Sequence, residues 1–169
     1  YPLQVFEAAD ARLLATADYL MDNCRYQKGF FLDISHSGIN PYLTLHIGQV
    51  LLRAGDLRHI ELADELARLA SATGQWPEAV HPRTEGGCMG DGQHIWAAAE
   101  WVNYLRNCLL YEEEKHQQLI LGAGIKPGWI KPGVSMRIGP APTLWGTTHV
   151  TFDCTREGIR VRHESDWFD

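Results

Sequence analysis

Two irregular stretches of the chain gather side chains able to do acid–base and hydrogen-bonding chemistry. In the first, CRYQKGFFLDISHSGIN, stand Tyr26, Phe30, Phe31, Asp33 and His36, with Tyr42 just beyond it. The second runs over 75–90 and into the start of the next helix. It holds Trp76, Glu78, His81, Arg83, Glu85, Asp91, Gln93, His94 and Trp96. Aromatic faces can cover the apolar C–H side of a pyranose, while carboxylates, imidazoles and amides exchange hydrogen bonds with its hydroxyls. Acetal hydrolysis asks for two carboxyl groups, one protonated to assist the leaving oxygen and one ionised. Where the second activates water, the pair stands roughly 6.5–9.5 Å apart. Several carboxylates in these stretches could supply one of the pair.

The elements that position these residues read as helices. Over 4–23, Phe6, Ala9, Leu13, Ala17, Leu20 and Met21 recur at helical spacing. Asn40 followed by Pro41 is a helix start, and YLTLHIGQVLLRA continues it, apolar almost all round, to Gly55. A short turn at Gly55 and Asp56 leads to an amphipathic helix over 57–73, ended by Gly74. Asp91 stands as the cap of a fourth helix, whose first residues Ile95, Trp96, Ala97, Ala98 and Ala99 are apolar on every side. An amphipathic helix, a long loop and a buried helix thus occur twice. In stacked hairpins both long loops emerge at one end, where function tends to sit.

Beyond about 111 the pattern changes. EEEKHQQ reads as a polar link and LGAGIKPGWIKPG is rich in Gly and Pro. Val134, Met136 and Ile138, then Thr148, Val150, Phe152 and Cys154, then Ile159 and Val161 alternate with polar residues, which is strand periodicity. Thr155-Arg156-Glu157-Gly158 reads as a hairpin turn. The expected organisation is a helical part over 1–115 and a small antiparallel β module over 116–169.

The net charge of -6 and pI near 5.7 argue against nucleic acid or an anionic membrane as partner. No apolar run is long enough for a membrane span. Cys24, Cys88, Cys108 and Cys154 lack zinc-site spacing, so no metal is expected; four reduced thiols suggest a cytoplasmic protein. The opening residues lack a starting Met and read as the cut edge of something longer.

The most specific segment is WPEAVHPRTEGGCMGDGQHIWAAAEWV, over 76–102. It carries Pro77-Glu78, then Gly87-Cys88, then Gln93-His94-Ile95-Trp96-Ala97-Ala98-Ala99. This resembles the last hairpin of glycogen-debranching and glucoamylase-like six-hairpin glycosidases, whose chains carry Pro-Glu, a Gly-Cys loop and a Gln-x-x-Trp-Ser/Ala-x-Ala helix. PYLTLHIGQVLLRAGD and Pro127-Gly128-Trp129-Ile130 also resemble theirs. Ala97 replaces the usual Ser and His94 the usual Ala, which bears on substrate more than on reaction class. The resemblance implies a mainly α chain: two α-hairpins of an (α/α)6 toroid followed by an antiparallel sheet. It further implies hydrolysis of glycosidic bonds by inversion, with Glu78 as general base and no cofactor. The family's general acid lies on an upstream hairpin, so this piece is expected to be inactive alone. Its partners would be an oligo- or polysaccharide and the missing N-terminal part of the toroid.

The expected substrate contacts are Trp76, His81, Arg83, Asp91, Gln93, His94, Trp96, Asp33, His36 and Tyr42. Plainer readings stand beside these: Asp91 as a helix cap, Cys88 as a small filler, Trp96 and Trp101 as core, His46 as a satisfied core histidine. Glu112-Glu113-Glu114 reads as a solvated helix end, and Trp129 and Trp145 as residues packing the β module against the helices. Two alternatives remain open. One is an α/α-toroid lyase or epimerase using His for proton transfer; the other is a non-catalytic helical-repeat module that binds carbohydrate or protein.

Overall fold

The structure, a computed structural model, describes residues 4–26, 29–30, 38–90 and 92–167. Asp33, His36 and Asp91 therefore lie outside the described residues. The chain divides into two compact units, 1–105 and 106–169.

In the first unit, α1 (Ala11–Asn23) starts where Asp10 accepts a hydrogen bond from the Arg12 amide. The Arg12 side chain grips the same carboxylate and holds Asp10 down at about 2. The helix thus begins well after residue 4, because capping rather than periodicity sets its first turn. A two-stranded ribbon follows, β1 (Arg25–Tyr26) against β2 (Gly29–Phe30). Next, α2 (Pro41–Arg53) has Asn40 as its cap, accepting from the Leu43 amide, and Pro41 in its first turn. It is buried on most sides, as its composition implied.

In α3 (Arg58–Leu69), Asp56 accepts from the Arg58 amide and binds the Arg58 guanidinium, which also reaches Asp18 of α1 at 2.7 Å. The helix ends at Ala70, whose backbone is extended, short of the expected Gly74. Ala17, Val50, Leu51 and Leu62 form the core between α1, α2 and α3, with Leu13, Leu20 and Ile47 packed against them. Between α3 and α4 (Ile95–Leu109) lies a second ribbon, β3 (Ala79–Val80) against β4 (Gly87–Met89). Ile39 and Val80 exchange both backbone hydrogen bonds, at 2.9 and 2.8 Å, lacing the two long loops together.

In the second unit, β5 (Leu110–Glu113) pairs antiparallel with β6 (Gln118–Leu121) through a tight turn at residues 114–117. The strands β7 (Ser135–Thr143), β8 (Gly146–Cys154) and β9 (Ile159–Ser165) form an antiparallel sheet in chain order. A bulge breaks the β7–β8 register between Ile138 and Ala141. The turn at 155–158 closes as read from sequence: the Thr155 amide donates to the Gly158 carbonyl, and Gly158 takes a positive φ of 145°. Leu110, Ala141, Val150 and Phe152 give this unit its own core, extended by Leu119, Leu121, Ile125, Met136 and Ile138.

The expectation of a mainly α chain, two toroid hairpins with strands confined to a C-terminal module, is overturned. Helix accounts for 39% and strand for 27%, a mixed α and β architecture. Strand pairs stand between α1 and α2 and again between α3 and α4. Two-residue strands leave no period-two signal to read. In β5, alternation is masked by the run Glu112-Glu113-Glu114, which is not a solvated helix end. Glu112 is instead gripped by both terminal nitrogens of Arg106, at 2.7 and 2.9 Å.

Candidate functional site

The first turns of α2 and α4 bring one aromatic and acid–base cluster together. Tyr42, one residue into α2, stacks on Trp96 with ring centroids 4.3 Å apart and planes 15° from parallel. His94 lies 5.3 Å from the Tyr42 ring, and His46 6.1 Å from the Trp96 ring. Trp96 remains 48% exposed, so its ring is presented rather than packed away. Tyr42 and His46 are four residues apart on α2, and Trp96 and Glu100 four apart on α4, so each pair shares a helix face.

Behind the rings, His46 Nε2 stands 3.2 Å from Glu100 Oε1, both side chains 12% exposed. The two are at ion-pair distance but off the line of a hydrogen bond; the pair is charged on both sides only when the imidazole is protonated. Glu100 Oε2 and His94 Nδ1 are buried with no hydrogen-bond partner among the described residues. Buried polar atoms left open in this way are costly, and that cost falls when a ligand or water supplies the partner.

Glu78 sits on the segment laced to both helix starts. Its carbonyl accepts from the Asn40 side chain at the head of α2, at 3.1 Å. Two residues earlier, the Trp76 carbonyl accepts from the His94 amide at the head of α4, at 2.8 Å. Gly90 allows the loop to close on it: a β-carbon there would come within 3.1 Å of the Glu78 nitrogen and 3.2 Å of its Cβ. Glu78 is half-buried, and among the described residues no hydrogen bond or ion pair engages its carboxylate.

The other expected contacts are distributed differently. Trp76 is only 3% exposed, its indole N–H donates to the Leu66 carbonyl at 2.9 Å, and its ring packs on Trp101. It supports the loop from within and offers no face to a ligand. His81 organises a turn: its Nδ1 accepts from the Arg83 and Thr84 amides, both at 3.2 Å. Its other ring nitrogen therefore carries the proton. Arg83 and Gln93 are exposed on the same loop.

Cys88 donates to the Ala79 carbonyl at 3.6 Å, and none of the four cysteines forms a disulfide. From sequence His46 reads as a core histidine and Glu100 has no evident role. The shared helix faces of Tyr42/His46 and Trp96/Glu100 were the available signal.

Among the described residues no group of three or more His, Cys, Asp or Glu side chains is arranged to hold a metal. No helix of the described residues is long and apolar enough to cross a membrane. No family model, no curated protein and no solved structure matches this chain.

Proposed function

We propose that this chain contributes the sugar-binding and water-activating side of a glycoside-hydrolysing site. The observation that carries the reading is the half-exposed Trp96 stacked on Tyr42, with Glu78 on the loop segment hydrogen-bonded to the heads of both helices. A sugar ring laid on Trp96 places its hydroxyls toward His94 and Gln93. Glu78, as general base, takes a proton from water as the water oxygen bonds to the anomeric carbon. The glycosidic oxygen leaves with a proton from a second carboxylic acid, and the anomeric centre inverts. That acid comes from further polypeptide completing the site. An apolar stripe along α4, Ile95, Ala99, Val102 and Leu105, is exposed in the unit as it stands and suits such a covering segment. No cofactor enters this chemistry.

A second reading has a specific observation in its favour. His94, with its buried and unpartnered Nδ1, would move the proton in a lyase or epimerase, where Glu78 has no direct role. Turnover of oligosaccharides by the completed protein separates the two. Loss of hydrolysis in Glu78→Gln with survival in His94→Asn supports the first reading. Survival in Glu78→Gln removes it.

A further inference from the structure

Within residues 106–169 a cleft of about 450 Å³ opens beside the edge strand β7, lined chiefly by Leu109, Trp129, Lys131, Val134, Met136 and Arg137. That volume falls in the range of about 300–1,000 Å³ found for small-molecule sites. Its walls are apolar, one side is an indole with 38% of its surface exposed, and the only charged groups in the lining are cations. Among the described residues neither Lys131 nor Arg137 has an acidic partner. Arg106 and Arg162, by contrast, are held by Glu112 and by Asp153 at 2.9 Å, while Arg156 and Arg160 stand exposed outside the cleft lining. In a chain of net charge -6 this is a local reversal of sign.

An apolar wall, a partly exposed indole and two cations in the lining, of which Arg137 also borders the neighbouring cleft beside Arg162 and Glu164, select a ligand with a hydrophobic face and a negative group at its edge. The cleft is open to solvent, which favours a ring that keeps its hydroxyls wet over an acyl chain that must be enclosed. We infer that this cleft binds a hexuronate residue of an acidic oligosaccharide. The C–H face of the sugar lies on Trp129, and its carboxylate bridges Lys131 and the Arg137 guanidinium. The inference uses no residue of 1–105 and does not rest on the roles given to Glu78 and Trp96.

Trigalacturonate and its neutral counterpart, galactotriose, titrated calorimetrically into the 169-residue chain, test it. The acidic trimer is expected to bind and the neutral one to bind far more weakly. Arg137→Ala and Lys131→Ala should each weaken the acid by about tenfold. Trp129→Ala should do the same, with Trp129→Phe partly restoring affinity and guarding against a folding defect. Arg160→Ala, on the exposed strand β9 and outside the cleft lining, should leave trigalacturonate unaffected. The inference is overturned by equal binding of both trimers, by no binding of the acid at millimolar concentration, or by indifference to Arg137→Ala. It is also overturned if Trp96→Ala, and not Trp129→Ala, removes binding, or if decanoate displaces the sugar at lower concentration than galacturonate does.

Discussion

Tyr42 and Trp96 stack at 4.3 Å, joining the first turn of α2 to the first turn of α4 with the outer face of the indole still open. Two rings held in this way form a platform whose orientation is set before any ligand arrives. Such preorganisation removes part of the ordering cost of binding.

Trp96→Ala should therefore abolish the tryptophan-fluorescence response of this platform to neutral oligosaccharides and weaken their binding about tenfold. Folding stability should change by no more than about 1 kcal/mol, because the side chain is half-exposed. Intact affinity in this variant would remove Trp96 from the site.

Trp76→Phe should behave oppositely. The indole N–H to Leu66 carbonyl bond is lost in a buried setting, at a cost of about 1–2 kcal/mol in urea unfolding. Sugar affinity should be unchanged, since the ring faces Trp101 and the core.

Gly90 has a φ of 76° and lies against the Glu78 backbone. Gly90→Ala should cost about 1–2 kcal/mol from the left-handed backbone alone. The new methyl group should also push Glu78 away, seen as a large shift of its backbone amide resonance. An unmoved Glu78 resonance would show that the loop absorbs the methyl elsewhere.

His59 is buried, with Nδ1 2.7 Å from the Tyr104 hydroxyl. Burial pushes its imidazole below the ordinary value of 6.5, with the Asp56 charge opposing. The unfolded chain then binds the extra proton, so stability falls as the pH drops below 6.5 and levels off below the folded value. The descent is at most about 1.4 kcal/mol per pH unit. Denaturant titrations between neutral and acid pH should show it, and His59→Gln should flatten it.

Glu112 titrates on the acid side. Burial alone would push its carboxyl up, but the Arg106 guanidinium and the backbone N–H groups of Glu112 and Leu144 together outweigh it and hold the carboxyl below 4.5. Its contribution is full above 4.5 and is lost as pH falls through the folded value. Arg106→Met leaves a partly buried carboxylate unpaired, and should cost about 1–3 kcal/mol at neutral pH and little in strong acid.

Much of the helical frame was legible because its signals are local. Asn40-Pro41 announces α2, and Thr155 to Gly158 announces the β8–β9 turn. The start of α1 was less legible, since the apolar stripe runs on through Phe6 and Ala9 past the true cap at Asp10. The short ribbons were not legible at all. Pairs such as Ala79–Val80 with Gly87–Met89 are defined by a partner strand, not by their own pattern. At the site, the chemistry of Tyr42, His94 and Trp96 marks them in the sequence, and the three do come together. Trp76 has the same chemistry, yet the Leu66 carbonyl engages its indole N–H and the ring goes inward. Glu100 and His46 each look ordinary in the sequence until the two helices are set side by side.

Among the described residues the three-stranded sheet ends on β7 and β9, with no further strand paired to either. Along β7, Pro140 and Pro142 have no amide hydrogen to offer, and the bulge after Ile138 bends the strand. Along β9, Arg160, Arg162, His163 and Glu164 stand exposed in close succession. A second molecule attempting to extend the ladder would meet missing donors on one side and a hedge of charge on the other. The sheet is thereby guarded against fibril growth, so it can keep the Trp129 cleft open at its margin without inviting a neighbouring strand to fill it.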